Sequence, residues 1–106
     1  MAVVITPQEL KALMGSGQKP TLIDVRRKAD FEAAPKKIES AAWLDPERAN
    51  EWIAKIPQDR AVVVYCVKGG AVSQGIADRL EQSRHDVKFL QGGIKAWAEY
   101  GELLED

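Results

Sequence analysis

Apolar residues along this chain gather in short β-branched runs that alternate with stretches of helical spacing, punctuated by Gly, Pro or Asp. Val3 to Ile5 is the first run. Thr6-Pro7-Gln8-Glu9 then forms a capping box with proline at the first helical position. Leu10, Leu13 and Met14 supply the buried stripe of that helix, which Gly15 and Gly17 stop. Thr21 to Val25 reads as a second strand, Ala29 to Ala34 as a short helix that Pro35 ends, and Ala41 to Leu44 as a third strand. Asp45-Pro46-Glu47 opens a helix with Ala49, Trp52, Ile53 and Ile56 on one face, closed by Pro57. Ala61 to Tyr65 is apolar on both faces, as a central parallel strand is when helices cover each side of the sheet. Val72, Ile76, Ala77 and Leu80 recur at helical spacing, with Gln74, Asp78 and Arg79 facing away. Val87 to Leu90 makes the last strand, and Gly92-Gly93 turns into a helix carrying Ile94 and Trp97 and capped by Gly101. This alternation predicts an α/β fold, a central mostly parallel five-stranded sheet with right-handed crossovers and helices on both faces. In such sheets the binding crevice lies at the carboxyl ends of the strands, where Cys66 and Asp24 both fall.

A length of 106 residues fits one domain spanning the chain, with 45% hydrophobic and 29% charged residues excluding disordered and fibrous classes. The 15 basic and 16 acidic side chains are scattered, so no nucleic-acid partner is expected. The longest apolar stretch, Ala61 to Cys66, is too short for a bilayer span, and the N-terminus lacks a signal pattern; no membrane partner is expected, and the expected location is cytoplasmic. A single cysteine excludes a disulfide within the monomer and multi-cysteine zinc or iron–sulfur sites. It leaves a reactive thiol, and no cofactor is called for.

That thiol heads a segment, Cys66-Val67-Lys68-Gly69-Gly70-Ala71-Val72-Ser73, that joins the buried strand to a helix. The two glycines let the backbone curl so that successive N–H groups point inward, aimed with the positive end of the next helix at one point. An anion at that point is stabilised, which favours the nucleophilic thiolate of Cys66. Lys68 adds a cation near the mouth, and Ser73 is placed to hydrogen-bond an outer sulfur atom. The only histidine, His85, stands in a polar stretch before the last strand, so no Cys–His pairing is expected. A phosphate-binding Walker loop is excluded, since Lys68 precedes the glycines instead of following them. The competing reading of a cysteine at a strand end is a small core residue chosen for its volume.

Four segments, taken in order, resemble a known family. They are Thr21-Leu22-Ile23-Asp24-Val25-Arg26, then Ala41-Ala42, then Val63-Val64-Tyr65-Cys66 with Gly69 three residues on, then Leu90-Gln91-Gly92-Gly93-Ile94-Lys95-Ala96-Trp97. Together they look like a single-domain rhodanese-like sulfurtransferase over nearly the whole chain. The resemblance implies a persulfide formed on Cys66 from a donor such as thiosulfate and passed to a nucleophilic acceptor such as a thiol or cyanide. It makes Cys66 the sulfur carrier, Val67, Lys68, Gly69, Gly70 and Ala71 the cradling loop, and Asp24, Arg26 and Ser73 supporting residues. Trp97, Trp43 and Trp52 read as core.

Departures from the family pattern carry expectations of their own. Rhodanese-like loops often place Arg directly after the cysteine and again at the loop end, where this chain has Val67 and Ala71, so weak turnover with free thiosulfate is expected, with a protein persulfide or a less charged sulfur compound as the natural donor. The family's Gly-His-Ile-Pro-Gly-Ala stands here as Lys36-Lys37-Ile38-Glu39-Ser40-Ala41. A cysteine phosphatase is rejected because Val72 and Ser73 stand where its anion-clamping arginine would be. The alternative kept is a sulfur-carrier or binding module of the same fold with little turnover.

Overall fold

The computed structural model describes residues 3–83, 86–101 and 104–105. His85 lies outside the described residues. In chain order the elements are β1 (Val3–Ile5), α1 (Pro7–Met14), β2 (Thr21–Asp24), α2 (Lys28–Ala33), β3 (Lys37–Ile38), β4 (Ala42–Trp43), α3 (Ala49–Trp52), β5 (Val62–Tyr65), α4 (Ala71–Glu81), β6 (Val87–Leu90), α5 (Gly93–Glu99) and β7 (Leu104–Glu105). Five strands make one sheet in the order β1-β6-β5-β2-β4, and every pairing in it is parallel.

Central position explains the composition of β5. All four of its side chains are fully buried, and they alternate between two cores because successive strand residues face opposite sides. Val62 and Val64 pack with Ala49 of α3 and Ile76, Ala77 and Leu80 of α4. Val63 and Tyr65 pack on the other side with Leu10 of α1 and Ile94 and Trp97 of α5. Helices therefore cover both faces. The Thr6 capping box forms as the sequence reads: Glu9 N–H donates to Thr6 Oγ1 at 3.1 Å and Thr6 N–H to Glu9 Oε1 at 2.9 Å.

Three elements depart from the sequence pattern. The stretch opened by Asp45 is one short α-helix flanked by 3-10 turns at Pro46–Arg48 and Ile53–Lys55, not a continuous helix. Asp45 accounts for the tight start: its side chain accepts from Glu47 N–H at 2.9 Å while its carbonyl accepts from Arg48 N–H at 3.0 Å. The expected face still turns inward, with Ala49 buried and Trp52, Ile53 and Ile56 packed against it. The third strand is shorter than expected, Ala42–Trp43. The second strand closes at Asp24, although Val25 N–H still reaches Tyr65 O at 2.8 Å.

A second sheet, the antiparallel pair β3 and β7, has no counterpart in the sequence pattern. Two residues per strand are too few to show any periodicity. It matters for the site because Ile38, fully buried, carries the chain past the end of β2.

Candidate active site

The carboxyl ends of β5 and β2 lie side by side, Asp24 opposite Tyr65. The residues that follow these strands line a cavity of about 410 Å³: Arg26, Arg27 and Asp30 from one side, and Cys66, Val67, Lys68, Gly70, Ala71 and Val72 from the other. A larger hollow of about 840 Å³ lies at the opposite end of the sheet among Gln18, Lys19, Gln58, Arg60 and Asp86, and carries no thiol. Chemistry, not size, singles out the smaller one.

Cys66 is 6% exposed, so its sulfur sits low in this cavity. The sequence pattern pointed to several loop amides facing the sulfur. Among the described residues its hydrogen bond is instead with Ser73 Oγ, at 3.2 Å, and Ser73 in turn approaches Gly70 O at 3.4 Å. Ser73 is fully buried in the first turn of α4. A hydroxyl rotates freely between donating and accepting, so it accepts from the thiol and can turn to donate to a thiolate. Two first-turn residues of α4, Ala71 and Val72, whose amides a helix leaves without intrahelical acceptors, line the same cavity. Ala71 is the first residue of α4, so the loop proper ends at Gly70.

Glycine is required where the backbones crowd. Gly69 has φ +73°, and a Cβ there would lie 2.7 Å from Gly92 N and 2.8 Å from Leu90 O. Gly93, at φ +62°, would put a Cβ 2.3 Å from Cys66 O. This closeness lets the start of α5 hold the loop: Ile94 N–H donates to Cys66 O at 2.9 Å and Lys95 N–H to Val67 O at 3.1 Å. The Gly92-Gly93 pair was legible as a turn, whereas its grip on the Cys66 loop follows only once β5 and β6 are neighbours.

Asp24 and Arg26 form a buried pair beside the cavity. Arg26 Nε and Nη2 donate to the Asp24 carboxylate at 2.7–3.0 Å, while Nη1 donates to Ala34 O at 2.8 Å and Nη2 also to Lys36 O at 3.1 Å. The pair thus braces the Ala34–Lys36 lip. Tyr65 OH donates to Asp24 Oδ2 and accepts from Ile38 N–H, each at 3.2 Å. Burial, then the Asp24 charge, pushes the Tyr65 phenol well above its ordinary value, so it stays a donor. Trp97 is core, as expected, but Trp43 is half-buried and stacks on Phe31 with ring centroids 4.7 Å apart, its Nε1–H donating to Arg26 O at 2.8 Å. Trp52 is also half-buried.

Sequence reasoning missed Arg27 and Asp30. Their signal was position: both follow β2, the strand adjacent to β5, which Cys66 directly follows.

The rhodanese-like domain family matches residues 6–100. A sulfurtransferase of Allochromatium vinosum is 32% identical over 92% of this chain and 89% of its own length. A thiosulfate sulfurtransferase of Pseudomonas savastanoi pv. phaseolicola is 30% identical over 88% of this chain and 84% of its own length. A probable adenylyltransferase/sulfurtransferase of Mycobacterium tuberculosis is 38% identical over 89% of this chain, but the match spans only 24% of that protein. In three dimensions the chain is similar to a rhodanese-related protein of Thermoplasma volcanium, with TM-score 0.82 at 20% identity and 96% of each chain covered.

Proposed function

The chain belongs to the rhodanese-like domain family, and on that premise we propose that it is a sulfurtransferase carrying sulfur as a persulfide on Cys66. The observation that carries this reading is the placement of the only cysteine low in a cavity, with a hydroxyl partner at 3.2 Å and a helix N-terminus opening beside it.

In the first half-reaction the Cys66 thiolate attacks the outer sulfur of a sulfane donor. With thiosulfate, the new bond is Sγ–S, the donor's S–S bond breaks, and its electron pair leaves on sulfite; the total charge of −3 is unchanged. A thiophilic acceptor then attacks the outer persulfide sulfur and regenerates the thiolate, so that cyanide leaves as thiocyanate. Ser73 serves the resting thiolate by turning its hydroxyl toward Sγ, and the positive end of α4, which opens at the cavity, stabilises the charge on the outer sulfur. Val67 and Ala71, in place of loop arginines, make turnover with free thiosulfate weak.

Intact-mass measurement after thiosulfate treatment tests the reading: the wild type is expected to gain about 32 Da, one sulfur atom. Cys66→Ser is expected to gain nothing while keeping its fold. A wild-type protein that acquires no sulfur from thiosulfate or any other sulfane donor refutes it.

A further inference from the structure

Charge in the Cys66 cavity is unevenly committed. Arg26 lines the cavity, but its charge is matched by Asp24 and four of its five N–H donors go to that carboxylate and to the carbonyls of Ala34 and Lys36. Arg27, Lys68 and Asp30 line it as well, all three exposed, and among the described residues their side chains have no ion-pair or hydrogen-bond partner. Two cations and one carboxylate thus face the solvent of one cavity with a net charge of +1. Arg27 brings the guanidinium that the loop itself lacks, and brings it from the opposite wall, because the turn after β2 lies beside the loop after β5.

We propose that Arg27 is the specificity-determining residue for anionic sulfur donors, holding the charged head of the donor together with Lys68 while the outer sulfur reaches down to Cys66. The proposal rests on the persulfide reading given above. A donor oriented this way has its leaving group at the mouth. As the S–S bond of thiosulfate breaks, charge gathers on the departing sulfite, where a guanidinium offers two parallel N–H donors to its oxygens. Asp30 works against the same anion from the same wall, so it sets an upper limit on how well the dianion is held. The substrate class is a small sulfane compound with an anionic head, ranked above an uncharged one of equal size.

The test separates charge from shape. Wild type, Arg27→Gln, Arg27→Lys and Asp30→Asn are compared for kcat/KM on thiosulfate at low and high salt. Cys66 alkylation is timed in parallel with iodoacetate and with its near-isosteric neutral counterpart, iodoacetamide; in both, Sγ displaces iodide. Arg27→Gln is expected to lower kcat/KM for thiosulfate about tenfold or more at low salt, the scale of one charge-assisted contact, with the gap narrowing as salt rises. It should slow iodoacetate but leave iodoacetamide within about twofold, and Arg27→Lys should recover part of the loss. Asp30→Asn should raise kcat/KM. Equal slowing by both alkylating agents would mean a distorted loop and overturn the inference. So would unchanged thiosulfate kinetics in Arg27→Gln when wild-type Cys66 still gains its sulfur; the persulfide reading would then survive. If the wild type gains no sulfur, that reading fails, and the alkylation ratio alone decides whether Arg27 recruits anions.

Discussion

Asp24 is fully buried and Arg26 only 3% exposed, so each is the other's counter-charge where little water reaches. Replacing Asp24 by Asn keeps the shape and one acceptor oxygen but leaves the guanidinium buried without a counter-charge, a change that costs about 3–5 kcal/mol. For a chain of this size that corresponds to a thermal midpoint lower by roughly 10 °C or more. Thermal unfolding measures it, and a loss below about 1 kcal/mol would mean that water reaches Arg26 and that the pair does not brace the lip. Ser40 is the opposite case, a residue whose replacement should help. Among the described residues it is the non-glycine with positive φ, +67°, and it stands where the family pattern has glycine. An L-residue in that region is disfavoured by about 1–2 kcal/mol, partly offset by the entropy that glycine loses on folding. Ser40→Gly is therefore expected to stabilise the protein by about 0.5–1 kcal/mol, read as a rise in the denaturant midpoint at unchanged slope.

Between elements, the contact that positions Cys66 is the one between its loop and the start of α5. Gly93→Ala places a Cβ 2.3 Å from Cys66 O and 2.5 Å from Val67 O, so the loop or the helix has to move. The expected outcome is a loss of about 2 kcal/mol or more in stability together with slower sulfur loading, measured on one preparation by denaturation and by intact mass. Loading at the wild-type rate would show that the loop keeps its shape without α5. Val67→Arg probes the same loop at a half-buried residue of the cavity wall: it adds a guanidinium next to Cys66 and is expected to lower the KM for thiosulfate about tenfold, less at high salt. An unchanged KM would mean that Arg27, Lys68 and the loop amides already saturate the anion site. Strands and long helices were legible from apolar spacing because each buries a face of its own. The 3-10 turns around Ala49–Trp52 were not, since they depend on where the Asp45 side chain hydrogen-bonds.

At the scale of the whole molecule, order and disorder of apolar pattern explain what could be read ahead of the structure. Val62 to Tyr65, apolar at every position, declared a central strand, and with the alternation around it the parallel sheet followed. Cys66 was legible as the candidate reactive group because it directly follows that strand. Arg27, Asp30 and the β3–β7 pair were not, because they reach the site through tertiary paths that leave no period in the sequence. The same contrast predicts how stability is distributed. β5 is hydrogen-bonded to a strand on either side and fully buried, so its amides should exchange with solvent only through global unfolding. The β3–β7 pair joins two residues to two, and should open at much lower free energy. Native-state hydrogen exchange against low denaturant concentrations distinguishes the two: β5 amides should show the full denaturant slope of global unfolding, and β3–β7 amides almost none. Since Arg26 ties the lip just before β3 to Asp24, Asp24→Asn should widen the gap between the two classes. If the β3–β7 amides also exchange only with global unfolding, the lip is as firm as the sheet, and access to Cys66 is set by the side chains at the mouth of its cavity and not by opening of the small sheet.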